Sequence, residues 1–155
     1  MKPDDLRNIL SALQNGDLSV DEGLERLRHL PFEDVGVALI DHNRELRQGA
    51  PEVILGERKT AEQILAIVEK MAERGGNVLV TRLSREKAAP LLELFPKGDY
   101  DGEARTFALV QQEIVPSGRG KILVVCAGTS DIPVAREAAV TARMLGNHVD
   151  EIFFF

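Results

Sequence analysis

Lys121-Ile122-Leu123-Val124-Val125-Cys126-Ala127-Gly128-Thr129-Ser130-Asp131-Ile132-Pro133-Val134-Ala135-Arg136-Glu137 decides how the chain is read: a short apolar run meets a turn of small residues and then a helix start. Ile122 to Val125 are β-branched or bulky with no polar face, the pattern of a strand buried on both sides in a parallel sheet covered by helices. Gly128 permits a sharp turn, Thr129, Ser130 and Asp131 can cap the helix that follows, and Pro133 suits its first turn. Val134, Ala135, Ala138, Ala139, Ala142 and Leu145 give that helix an apolar stripe, which Gly146-Asn147 ends. Small residues at the carboxyl end of a parallel strand leave room for a ligand, and free backbone N–H groups at a helix start attract phosphate or carboxylate. The pattern points to an anionic or phosphorylated small molecule at Gly128, Thr129, Ser130 and Asp131. The same strand, turn and helix also occurs as a purely structural connection. It is neither a G-x-G-x-x-G motif nor a P-loop.

Composition narrows the classes. A chain of 155 residues can build one good core or two small ones, and 44% hydrophobic with 28% charged residues describes an ordinary globular protein. A net charge of −6 without a long basic run gives no support for nucleic acid or an anionic membrane as partner. The one cysteine excludes an internal disulfide. Asp4, Asp5 and Arg7 interrupt the first twenty residues, so no signal peptide is expected, and no run reaches the roughly eighteen apolar residues of a membrane span. A reducing cytoplasm is the expected location. No metal-ligand spacing stands out among His29, His42, His148 and Cys126, so no metal site is expected.

Outward from the central stretch, Pro3 to Gln14 reads as an amphipathic helix stopped by Gly16, and Ser19-Val20-Asp21-Glu22 as the capping box of a second helix that Pro31 terminates. The pair makes a helical hairpin over residues 3–30. Val35 to Ile40 reads as a strand, as does Glu52 to Leu55. Between them, Arg44 and Arg47 would share one face of a helical turn and could clamp a phosphate or carboxylate, whereas in an extended chain they point apart. The charges there could equally pair with one another, as in Arg44 with Glu45 or Glu52, and His42 reads first as an ordinary hydrogen-bonded histidine. Thr60-Ala61-Glu62-Gln63 opens a helix that Gly75-Gly76 closes, and Asn77 to Leu83 follows as a strand with Thr81 and Arg82 at its carboxyl end. Ser84 starts another helix, which Pro90 should kink or split. Glu103 to Gln112 alternates as a further strand would. Ser117-Gly118-Arg119-Gly120 is the best linker, which divides the chain into an N-terminal α/β domain over 1–117, a linker at 118–120 and a second domain from 121 to 155.

Taken together, Asp41-His42-Asn43-Arg44-Glu45-Leu46-Arg47-Gln48-Gly49, Pro51-Glu52-Val53-Ile54 with Lys59, Val80-Thr81-Arg82, and the run from Val124 to Ala135 resemble the nickel-pincer cofactor biosynthesis family LarB. Its members are also named carboxylase-like or circadian phase modifier proteins. The resemblance implies that 121–155 is the first β-α unit of a PurE-like (flavodoxin-like) parallel-sheet domain, similar to aminoimidazole ribonucleotide carboxylase. It implies carboxylation of the pyridinium ring of nicotinic acid adenine dinucleotide, with phosphoanhydride hydrolysis releasing AMP and giving a pyridinium biscarboxylate mononucleotide. The turn resembles the Gly-Ser-x-Ser-Asp turn of PurE-type domains, so Ser130 would bond phosphate and Asp131 a ribose hydroxyl or a developing charge. Arg44, Arg47 and Lys59 are added as anion contacts on charge alone. CO2 or bicarbonate is the implied co-substrate, no cofactor is bound, Mg2+ is admitted, and a homo-oligomer is the expected assembly.

The chain also departs from that family. Members continue through a glycine-rich segment and further strands that hold the nucleophilic cysteine, and Cys126, at a strand end, reads as inert packing instead. The expectation is a truncated member, inactive alone, with Phe153-Phe154-Phe155 unlike a natural domain end. Two other functions stand beside it: a purine-pathway carboxylase, which the Asp41 to Lys59 motif disfavours, and a non-catalytic nucleotide-binding or oligomerisation module, which the hairpin and terminal phenylalanines favour.

Overall fold

A computed structural model describes residues 3–28, 32–34, 39–41 and 52–154. The chain divides into two units, Met1–Glu52 and Val53–Phe155. In the first, helix α1 (Pro3–Asn15) ends where Gly16 takes φ 79°. The Gly16 N–H then donates to Leu13 O at 3.2 Å and the Asp17 N–H to Ala12 O at 2.9 Å, which satisfies carbonyls the helix end would leave open. Helix α2 (Val20–Arg28) starts from a reciprocal cap: the Glu22 N–H donates to Ser19 Oγ at 3.2 Å and the Ser19 N–H to Glu22 Oε2 at 2.9 Å. The two helices meet at Gly23, where a Cβ would stand 2.9 Å from the Leu13 methyl carbons. Strands β1 (Phe32–Asp34) and β2 (Leu39–Asp41) pair antiparallel, Phe32 opposite Asp41. Residues 35–38 of the expected Val35 to Ile40 strand lie outside the described residues.

The second unit carries two sheets. β3 (Val53–Leu55) and β4 (Val78–Thr81) are parallel, joined by helix α3 (Ala61–Glu73), and a hairpin of β5 (Asp99–Asp101) and β6 (Thr106–Leu109) adds antiparallel to β4, for the order β3-β4-β6-β5. Thr60 caps α3, accepting from the Gln63 N–H at 3.3 Å while the Gln63 side chain accepts from the Thr60 N–H at 3.0 Å. All four residues of β4 are buried, as are Ile64, Ile67 and Val68 of α3, Leu91 of helix α4 (Arg85–Leu94) and Phe107 of β6. One face of α3, at three- and four-residue spacing, and both faces of β4 are therefore the core. α4 runs through Pro90 without splitting. Only one intrahelical N–H is lost there, and the helix ends four residues later, so little hydrogen bonding beyond the proline is disturbed.

β7 (Lys121–Ala127), helix α5 (Ile132–Met144) and β8 (His148–Phe154) form a parallel βαβ unit in register from Lys121 opposite His148 to Ala127 opposite Phe154. The protein is thus α/β with parallel strands, as its sequence predicts. The segment 118–120 connects the two sheets of this unit. It is tied down beside Gly118, because the N–H groups of Ser117 and Gly118 both donate to Gly146 O, at 2.9 and 3.3 Å. One expectation is corrected. β7 is not buried on both sides: Leu123 and Val125 are exposed, and so are Ile152, paired with Val125, and Phe154 at the end of β8. Two strands and one helix cover only one face, on which Val124, Cys126 and Phe153 are partly buried. Within α5 the covered residues are Ile132, Ala135 and Ala139, whereas Val134 and Ala138 of the predicted stripe face solvent.

Candidate ligand site at the strand carboxyl ends

β7 ends in a turn built on Gly128, whose φ of 109° and ψ of 135° only glycine adopts readily. Thr129 to Asp131 make one 3-10 turn before α5. The expected side-chain cap does not form. Asp131 sits at φ −93°, ψ −12°, and a capping side chain reaches the N2 or N3 amide only from extended backbone. The consequence for ligand chemistry is direct. Gly128, Thr129, Ser130 and Asp131 are all exposed, and their hydroxyl and carboxylate groups do no capping work at the start of α5. Pro133 occupies the first turn.

The carboxyl ends of β3 and β4 hold a second group. Gly56 lies against β4, its N–H donating to Thr81 O at 2.8 Å, and a Cβ there would stand 3.1 Å from the same carbonyl oxygen. The turn from Gly56 to Lys59 is closed by the Lys59 N–H on Gly56 O at 3.3 Å, and Lys87 Nζ donates to Gly56 O and Glu57 O at 3.0 and 3.2 Å. This fixes predicted Lys59, half-buried, at the β3 carboxyl end. Arg82 extends from the end of β4 to Glu57 Oε2 at 3.3 Å and, across to α5, to Glu137 Oε1 at 3.7 Å. Beside it Arg136 Nε lies 2.9 Å from Glu103 Oε2, and the Arg136 guanidinium sits 5.7 Å from the Phe153 ring centre. Half-exposed pairs of this kind contribute about 0–1 kcal/mol each, so they orient the α5 side of the site more than they stabilise it.

The structure therefore brings Gly128 to Asp131 together on one turn and puts Lys59 on another. No hydrogen bond or ion pair among the described residues joins the two. Arg44, Arg47 and His42 lie outside the described residues. Cys126 is partly buried, opposite Phe153 on the α5 face, and among the described residues no group of His, Cys, Asp and Glu could hold a metal ion. No helix among them is long and apolar enough to cross a membrane. Sequence reasoning missed Glu57, Glu137 and the Arg136–Glu103 pair. No local pattern signals them, because each contact joins elements distant in sequence.

Fold and site define a protein of parallel βαβ units with accessible turns at strand carboxyl ends. Residues 32–112, just over half of the sequence, match the LarB/PurE-like N-terminal domain, and the chain belongs to that family. An uncharacterised protein of Methanocaldococcus jannaschii is 33% identical over 147 residues, covering 91% of this chain and 57% of the relative. The chain thus spans a little over half the length of the relative it matches.

Proposed function

We propose that the chain belongs to a LarB-type enzyme that carboxylates the pyridinium ring of nicotinic acid adenine dinucleotide and hydrolyses its phosphoanhydride, releasing AMP. The observation that carries this reading is the exposed, uncapped Gly128 to Asp131 turn at the end of a parallel strand, within a chain of the LarB/PurE-like family. Ser130 would donate to a phosphate oxygen and Asp131 accept from a ribose hydroxyl, with the α5 N-terminus favouring the negative charge. Lys59, Arg44 and Arg47 are the further anion contacts, and CO2 or bicarbonate the co-substrate, with Mg2+ admitted at the pyrophosphate.

In this reading a cysteine thiolate adds to the ring, and the resulting enamine attacks CO2. Loss of the ring proton and the thiolate then restores aromaticity. Cys126, partly buried within β7 opposite Phe153, is not the counterpart of that nucleophile in the resemblance. The nucleophile is assigned to protein beyond residues 121–155, and the 155-residue chain is expected to form no product alone. The test supplies the dinucleotide and 13C-bicarbonate to this chain and to the longer Methanocaldococcus relative. Release of AMP with a labelled ring carboxylate by the relative supports the reading. Conversion of aminoimidazole ribonucleotide in place of the dinucleotide overturns it.

A further inference from the structure

Arg82 takes φ 50° and Arg105, across from it, φ 54°; these are the left-handed non-glycine residues among the described ones. The two are linked, since the Leu83 N–H donates to Arg105 O at 2.8 Å. A long side chain rarely holds this conformation unless its surroundings impose it, and such residues recur at ligand sites. Here the effect on side-chain direction is specific. Leu83 turns fully into the core, and Arg82 projects from the β4 carboxyl end with its side chain half exposed.

Its pairing is incomplete. A guanidinium has five N–H donors, and among the described residues Arg82 makes one side-chain hydrogen bond, to Glu57 at 3.3 Å. Glu137 at 3.7 Å is attracted but beyond hydrogen-bond reach. The two carboxylates come from different elements, the β3–α3 turn and α5. Glu137 lies six residues along α5 from Asp131, roughly 9 Å at the helical rise. A ligand that touches both the 128–131 turn and the guanidinium held at Glu137 therefore extends along α5 beyond a single phosphate, as a dinucleotide does.

We propose that Arg82 is a phosphate-binding residue, held by Glu57 and Glu137 until a nucleotide carrying a phosphoanhydride displaces the Glu137 carboxylate and takes the fork of its guanidinium. This rests on the nucleotide reading above and adds to it a residue, a counter-ion and a preference for a dinucleotide over AMP. Binding exchanges a loose carboxylate contact for a bidentate phosphate one, which is shorter and stronger. Glu57 keeps the backbone of the turn in place through Lys87 and loses nothing in the exchange.

The opposite signs of two substitutions test it. Arg82→Asn removes the cation and keeps a residue that tolerates left-handed backbone. Glu137→Gln removes the competing charge. In calorimetric titrations of the chain at low salt, the first weakens binding of nicotinic acid adenine dinucleotide about tenfold or more, and the second tightens it roughly two- to fivefold. A purely structural Arg82 leaves affinity unchanged in both variants, or weakens it in both in step with their melting temperatures, and either result overturns the proposal. Inorganic pyrophosphate, titrated in parallel, separates the two claims. Arg82-dependent pyrophosphate binding without dinucleotide binding sustains the residue and removes the dinucleotide reading. Dinucleotide binding indifferent to Arg82 does the reverse, and absence of both overturns both.

Discussion

Gly128→Ala isolates what the backbone of the turn after β7 demands. No atom lies within 4 Å of the position a Cβ would occupy, so the substitution creates no collision. What remains is the conformation, φ 109° with ψ 135°, which costs an L-residue about 1–3 kcal/mol. In a unit of this size each kilocalorie lowers the melting temperature by roughly 4–8 °C, so the variant should melt about 5–20 °C below the parent. Gly120→Ala is the matched control. It also meets nothing within 4 Å, but Gly120 has no positive φ, and restricting the unfolded chain should leave the variant neutral or more stable by about 0.4–1 kcal/mol. Urea and thermal unfolding followed by far-ultraviolet circular dichroism read both. Equal midpoints for the two variants would refute the argument that conformation, rather than space, fixes the glycine of this turn.

Other substitutions probe the supports of the site. Gly98→Ala pushes a Cβ into the ring of fully buried Phe107, and overpacking should lower stability by about 1–3 kcal/mol in urea titrations; an unchanged midpoint contradicts the packing described. Thr60→Ala should lose about 1 kcal/mol of helix cap. The Thr60 hydroxyl, and after it the backbone amide of Glu62, hold the Glu62 carboxyl below its usual range, so the stability from that group is present above the ordinary carboxylate pKa and lost as pH falls through the lowered one. The Thr60→Ala variant should accordingly show a weaker acid dependence. Tyr100 donates to Leu83 O at 3.1 Å, and burial pushes its phenol above the ordinary value of 10.0. That contribution is complete below pH 10 and disappears as pH rises through the raised value, so Tyr100→Phe should be about 1 kcal/mol less stable near neutrality and lack the alkaline decline expected of the parent.

What the sequence made legible is what local chemistry controls. Ser19 with Glu22 and Thr60 with Gln63 announce their helices because a cap needs only residues three apart. Gly16 and Gly146 mark helix ends through the left-handed backbone that they adopt. The β7, turn and α5 succession was readable for the same reason. Three features were not. β5 is three residues, Asp99-Tyr100-Asp101, whose polar pattern carries no strand signal and whose pairing with β6 is set by the Asp101 side chain, which accepts from the Glu103 and Ala104 N–H groups at 2.9 Å. The exposure of Leu123 and Val125 depends on how many strands flank β7, which an apolar run does not encode. The Arg82–Glu137 and Arg136–Glu103 contacts depend on the packing of α5 beside β4 and the β5–β6 turn.

The measurement closest to the central claim is calorimetric titration of the chain with nicotinic acid adenine dinucleotide, with AMP and aminoimidazole ribonucleotide as comparison ligands. The dinucleotide is expected to bind in preference to both, and Ser130→Ala to weaken it about tenfold, the loss of a hydrogen bond to a charged group. Preference for aminoimidazole ribonucleotide, or dinucleotide binding that ignores Ser130, would contradict the assignment of the Gly128 to Asp131 turn as its site.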